Sequence, residues 1–354
     1  ELLLIKRAVR ANDNWSSHVA FPGGRRDEED ENGLYTSMRE TWEEVGIDLA
    51  EKEFLHVGHL EDREITSSLG KRLLMILSPY IFLHLSPFSP TPSLQPSEVS
   101  SLHWVPLSQL FTPTPRWGTL HMDVARHMPQ NSYMRSMLSM LIGQITFRSI
   151  QLPNTPTAIT MAMARDHFAH LAKPPSAKEA EEEEDTFLLN AEQQAYLGQV
   201  TPRLQLWGLT LGMTLDLLSH MSTYQREKPP PEPPTIHALK SLFSILPSSR
   251  LFGDAYSAPA KAPSVVEVFP RFGYPDINLW LWVFGWRYRA ILRKWRQSIG
   301  TELERQAHWS GLAIAAFYSC VRRALIVALV LRAMGLVSLV SLGGYLGWRR
   351  LYRL

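Results

Sequence analysis

Over residues 1–112, short apolar runs alternate with polar, turn-rich stretches. ELLLIKRAV from Glu1 and HVAFP just before Gly23-Gly24 have strand character, as do FLHVGHL (54–60) and RLLMILSPYIFLHL (72–85). A helical spacing runs from about Gly33 to Val45. SSLHWVPLSQLF predicts a strand entering a short helix, and prolines between Pro79 and Pro115 mark loops. Further on, SYMRSMLSML predicts a helix and GQITFRSIQL a strand. RLQLWGLTLGMTLDLLSHM (Arg203 to Met221) predicts an amphipathic helix. Residues 235–286 read as loop-rich, with a ten-residue aromatic run, INLWLWVFGW, suited to an interface. Finally, Ala324 to Trp348 is a 25-residue run with one charge, Arg332.

These patterns divide the chain. Residues 1–225 form an α/β unit, irregular or inserted over 113–198, with KEAEEEED (178–185) as an acidic loop. KPPPEPP (228–234) makes 226–235 a stiff proline-rich linker. A loop-rich, aromatic and basic region follows over 236–320. The run 324–348 is a candidate transmembrane helix, because about 20 apolar residues span a bilayer core. Arg322 and Arg323 precede it, and Arg349, Arg350 and Arg353 follow, with Trp348 and Tyr352 as interface aromatics. Arg332 favours the competing reading, a buried helix, because a charge in mid-membrane is costly.

Charge sharpens this division. The net +2 hides an excess of ten positive charges over residues 287–354 and of eight negative charges over the other 286 residues. Basic flanks on an apolar span suit anionic lipid better than nucleic acid, and no nucleic-acid partner is expected. A lone cysteine, Cys320, excludes a disulfide framework and any multi-cysteine metal site. The chain begins at Glu1 rather than Met, so the natural start is expected upstream and an N-terminal targeting signal would lie outside this sequence.

The chemistry concentrates in FPGGRRDEEDENGLYTSMRETWEEVGIDL, residues 21–49. On a helix, Glu40, Glu43 and Glu44 stand at i, i+3 and i+4 and share one side. Three such charges repel unless something neutralises them, and hard cations such as Mg²⁺ or Mn²⁺ take oxygen ligands. Arg39, four residues before Glu43, can orient a carboxylate. Gly46 suits a helix C-cap.

Residues 39–47, Arg-Glu-Thr-Trp-Glu-Glu-Val-Gly-Ile, closely resemble the second half of the Nudix hydrolase box, with Thr41 in place of an aliphatic residue. The first half carries one extra residue between Gly24 and Arg39, and Glu31 keeps the eight-step distance to Arg39. That expansion, with FPGGRRD in front, resembles the coenzyme A diphosphatase branch. So do VGHLEDREITSSLG (57–70), PSEVSSLHWVPLSQL (96–110) and LWGLT (206–210). The segment before the glycines departs from that branch, with Trp15-Ser16-Ser17-His18 across it. The likeness covers roughly residues 1–222.

The resemblance implies a Nudix-type α/β/α sandwich with a mixed sheet, followed here by a helical C-terminal region carrying the candidate transmembrane helix. It implies hydrolysis of a nucleotide diphosphate derivative, coenzyme A or an acyl-coenzyme A first. ADP-ribose, NADH or dinucleoside polyphosphates are the alternatives, and a membrane-anchored interaction protein without turnover is the reading from another class. Glu40, Glu43 and Glu44 would bind Mg²⁺ or Mn²⁺. Glu44 would double as base, with Glu98 of the PSEV loop a second candidate and Arg39 in support. Gly23, Gly24, Arg25 and Arg26 would meet the phosphates; Thr66 and Ser67 are weaker candidates for substrate contact. The tail implies anchoring to a membrane, mitochondrial or peroxisomal, with the Nudix domain in the cytosol.

Overall fold

A computed structural model describes residues 1–10, 16–66, 73–88, 90–111, 115–123, 133–160, 163–164, 186–221, 268–298 and 309–351. The acidic run 178–185, the proline-rich linker 226–235 and Ser67 lie outside these residues.

The first sheet has the order β11 (Thr186–Leu188), β10 (Ala158–Thr160), β7 (Val99–Val105), β1 (Leu2–Arg7) and β2 (Val19–Ala20), and its pairings are antiparallel. β1 shows why its sequence is apolar without alternation. Leu4 packs into one cluster with Ile150, Leu206, Leu211 and Leu215. Its neighbour Ile5 faces the opposite cluster, with Val45, Ile47, Val99 and Leu102. A strand covered on both faces needs apolar residues on both. Helix α1 (Gly33–Val45) therefore lies on one face of the sheet. On the other lie α4 (Gly208–Met221) and a second antiparallel sheet, β12 (Leu204–Trp207), β9 (Gln144–Leu152) and β13 (Arg271–Phe272), with β8 (Trp117–Asp123) pairing β9. This is the layered arrangement expected of a Nudix domain. Two further antiparallel pairs are nested in sequence: β3 (Phe54–His59) with β6 (Tyr80–His84), and β4 (Arg63–Thr66) with β5 (Leu73–Leu77). Helices α2 (Tyr133–Ile142) and α3 (Ala191–Val200) complete this part.

Two expectations change. Residues 203–221 are not one amphipathic helix. Leu204–Trp207 pair with β9, and Gly208, at φ 60°, turns the chain into α4. Half of α4 is buried, including the unbroken run Leu211–Asp216 and Leu218, so its burial is not confined to one stripe. Nor is the region after the linker all loop. α5 (Pro275–Phe284) starts on a proline at its first position, and α6 (Trp286–Ser298) follows after Gly285. The aromatic run that reads as an interfacial loop is mostly α5; its Ile277 and Leu281 are buried.

Helix α7 (Trp309–Leu351) is 43 residues long. Its span Gly311–Leu346 is long and apolar enough to cross a membrane. The helix begins in the body: Ala313 belongs to the cluster that holds Leu4 and Ile150. Phe317, Cys320, Ala324 and Ala328 pack on Phe272, Ile277 and Leu281. The first residues of the expected span 324–348 are thus docked on the protein.

Candidate active site

Helix α1 is bounded as its ends dictate. Asn32 caps it by accepting the Tyr35 N–H at 2.9 Å, and Gly46, at φ 68°, closes it by donating to the Trp42 carbonyl at 2.8 Å. A Cβ on Gly46 would come within 2.7 Å of Ser93, a second reason for glycine there. Thr41 is buried, and its hydroxyl donates to the Ser37 carbonyl at 2.7 Å, so a polar residue is tolerated where the resembled pattern has an aliphatic one.

Arg39 organises the acids around it. Its Nε and Nη2 donate to the two oxygens of Asp30 at 2.9 and 3.0 Å, its Nη1 to Glu43 at 2.9 Å and its Nη2 to Glu40 at 3.1 Å. It also reaches the Arg25 carbonyl at 3.1 Å. Asp30 is buried, accepts the Thr36 hydroxyl at 2.9 Å and the Asp27 N–H at 3.0 Å, and is held well below the usual carboxylate range, chiefly by Arg39. The Arg39 guanidinium is correspondingly pushed up, first by Asp30. The sequence suggests Glu31 as the match for the first acid of the box; Glu31 is exposed, and it is Asp30 that contacts Arg39. One signal points there: Asp30 lies six steps after Gly24, the distance the Nudix box sets, so the extra residue falls between Asp30 and Arg39.

The remaining carboxylates crowd together. Glu44 is only 3% exposed. Burial pushes its pKa up to about 7, repulsion from Glu98 and Glu40 adds to this, and the Gly23 N–H, donating at 2.8 Å, opposes it. Burial also raises Glu40, with Glu43 and Glu98 repelling it and Arg39 opposing. Glu98, in the turn before β7, lies close enough to Glu40 and Glu44 to repel both. It is held by Arg10 at 2.8 Å, and Arg10 also donates to the Ser97 carbonyl at 2.7 Å. Glu43 is half exposed and paired with Arg39, yet close enough to Glu40 to repel it.

The glycine pair lies against this cluster. Gly24 packs so closely on Glu40 that a Cβ would meet its carboxylate at 2.2 Å. Gly23 has a φ of 144° while its N–H points at Glu44. Arg26, exposed like Arg25, donates to the Asp30 and Glu31 carbonyls at 3.0 and 3.1 Å and so braces the loop. Arg7 of β1 went unnoticed in the sequence, yet it lies close enough to Glu44 to favour its charge.

The loop borders a cavity of about 1530 Å³. Gly23, Gly24, Arg26 and Arg7 line it, with Thr36, Ser37 and Thr41 of α1, the β3/β6 pair, and Met213, Leu217 and His220 of α4. Behind His220, a buried Arg63–Asp216 pair at 3.2 Å ties β4 to α4. Trp207 is buried and meets His18 and Phe147 edge-on, a packing role.

Among the described residues no three His, Cys, Asp or Glu side chains converge into a ready-made metal cage. The donor set still fits a hard cation. Two buried or half-buried carboxylates with raised pKa values, repelled by a third, are stabilised by positive charge between them.

Residues 1–124, which hold Arg7, the glycine pair, Asp30, Arg39 and the acids Glu40, Glu43, Glu44 and Glu98, match the NUDIX domain family model. An uncharacterized protein of Schizosaccharomyces pombe is 35% identical over 164 residues, covering 46% of this chain and 49% of that protein. The peroxisomal coenzyme A diphosphatase ndx-8 of Caenorhabditis elegans is 36% identical over 97 residues, covering 27% of this chain and 38% of that protein. The chain thus spans about half or less of the length of these relatives.

Proposed function

Starting from a Nudix domain at residues 1–124, we propose that this chain is a divalent-metal-dependent hydrolase that cleaves the diphosphate bond of a nucleotide derivative, with coenzyme A or an acyl-coenzyme A as the substrate class. The observation that carries this reading is the crowding of Glu40, Glu44 and Glu98 beneath a glycine loop that also borders a large cavity. A diphosphate alone needs far less room than 1530 Å³, so the cavity suits a substrate with a long arm. The likeness to a coenzyme A diphosphatase supports the same class.

Glu40, Glu43 and Glu44 would hold Mg²⁺ or Mn²⁺, which when bound neutralises charge on the leaving phosphate and acidifies an attacking water. Arg39 positions Glu40 and Glu43 and anchors itself on Asp30. The Gly23 N–H aims the Glu44 carboxylate, and Gly24 leaves the space that Glu40 occupies. Glu44 takes a proton from the nucleophile, with Glu98 as the second candidate. Gly23, Gly24, Arg25 and Arg26 form the phosphate side, Arg26 by bracing the loop and Arg25 by its exposed charge. The C-terminal apolar helix anchors the protein to an organelle membrane, peroxisomal or mitochondrial, with the Nudix domain in the cytosol and residues 226–235 as linker.

The test is a panel of coenzyme A, acyl-coenzyme A, ADP-ribose, NADH and dinucleoside polyphosphates with Mg²⁺ or Mn²⁺. Coenzyme A compounds should give the highest kcat/KM. Glu44→Gln should lower that activity by orders of magnitude without loss of fold. Preference for another nucleotide overturns the substrate class, and full turnover by Glu44→Gln overturns the site.

A further inference from the structure

The apolar run Ala324–Trp348 looks uniform in sequence, but helix α7 divides it. Ala324 and Ala328 are buried on the body, and the exposed side of the preceding turn carries Arg322 and Arg323. Arg332 closes the docked half. Its Nε and Nη2 donate to the two oxygens of Asp276 at 2.9 and 2.7 Å. Its Nη1 donates to the Leu141 carbonyl at the end of α2. The guanidinium lies 4.4 Å from the Tyr274 ring centroid, and the Tyr274 hydroxyl donates to the Met140 carbonyl at 2.8 Å. A fork-shaped cation is thus engaged on both its edge and its face by two segments of the body, the end of α2 and the start of α5.

Beyond Arg332 the surroundings change. Every described residue from Ala333 to Leu346 is exposed, as is Trp348. Consecutive helical positions turn by about 100°, so the exposed Met334, Leu336, Val337, Leu339 and Leu342 present apolar groups around the whole axis. A protein groove covers a stripe of a helix; apolar groups on all sides suit an apolar medium. The segment ends at Trp348 with Arg349 behind it, residue types that settle at a membrane interface.

We infer that the bilayer boundary lies at Arg332, that Ala333–Trp348 is the lipid-immersed segment, and that the Arg332 clamp seats the body on the membrane surface. This rests on the membrane reading proposed above and moves its boundary eight or nine residues towards the C-terminus. Sixteen residues rise about 24 Å, less than the roughly 30 Å of a bilayer core. Local thinning and extension of Arg349 and Arg350 towards the far headgroups make up the difference.

The experiment uses the full chain carrying Cys320→Ser, with single cysteines at Ile326, Val330, Leu336 or Val340. Each is labelled with an environment-sensitive fluorophore in phosphatidylcholine–phosphatidylserine vesicles. All four native positions are at least half exposed. Labels at 336 and 340 should be quenched by nitroxide acyl chains and not by iodide; labels at 326 and 330 should do the reverse. Adding Arg332→Leu should draw 330 into the nitroxide-sensitive class. Nitroxide quenching at 326 and 330 without that change overturns the boundary and leaves the anchor standing. Iodide quenching at 336 and 340 overturns the membrane reading itself. Protection of 336 and 340 from both quenchers overturns the proposal in favour of a protein partner.

Discussion

Arg39 and Arg332 each gather several oxygens around one guanidinium, and they differ in where those oxygens come from. The partners of Arg39 lie between Arg25 and Glu43, within one loop and one helix. The partners of Arg332 are Tyr274 and Asp276 at the start of α5, more than 50 residues away, and Leu141 at the end of α2, nearly 200 away. The first network is polar and holds like charges together, and the second joins an apolar helix to the body. A local network leaves a spacing in the sequence, whereas a remote one leaves only an isolated charge in an apolar run.

Substitutions can separate the two regions. The largest expected effect is at Arg39. Arg39→Lys keeps the charge and loses the fork, and diphosphate hydrolysis should fall about 10- to 100-fold, the usual loss when a residue orienting metal ligands is changed. Circular dichroism should be unchanged, and Arg332→Lys should leave solution kinetics untouched. Equal losses in both variants would mean that the two arginines are not separable. Next is Gly24→Ala. Its Cβ cannot coexist with the present Glu40 carboxylate, so kcat should drop roughly tenfold as Glu40 shifts, with little change in thermal stability.

The third effect concerns pH. Glu44 is raised to about 7 in the folded state from an ordinary 4.5, so its contribution favours folding below pH 4.5 and is lost as pH rises to 7. In detergent with a chelator, the wild-type chain should lose roughly 2–3 kcal/mol between these limits, and Glu44→Gln should flatten that slope. An unchanged slope in the variant would assign the pH dependence to other groups. The smallest effect is at Arg10, whose pair with Glu98 is part-exposed. Arg10→Ala should move stability by under about 1 kcal/mol.

Legibility followed the same division. Both ends of α1, the carboxylate spacing and Gly46 could be read from neighbouring residues, because caps and i, i+4 contacts are local. Asp30 was missed by one position, since an insertion displaces one of two equally good countings; the count from Gly24 favours it. Arg7 gave no signal, because its closeness to Glu44 arises from strand pairing. At Gly208 the apolar run hid a strand-to-helix break that only a positive φ reveals. Helices α5 and α6 were hidden by the Gly and Pro residues around an aromatic run, although a proline at a helix start is a beginning rather than an interruption.

Helix α7 runs unbroken from the cluster around Leu4 to the exposed tail. At 1.5 Å per residue it is a rod of about 65 Å. Tail-anchored proteins joined by a flexible tether can sample many orientations above their membrane. In the membrane arrangement proposed above, a rod rooted in the core would remove that freedom and pass to the body any tilt that bilayer thickness imposes on the tail. The cavity would then open in one fixed direction relative to the lipid plane, and membrane thickness would become a lever on which substrates reach it.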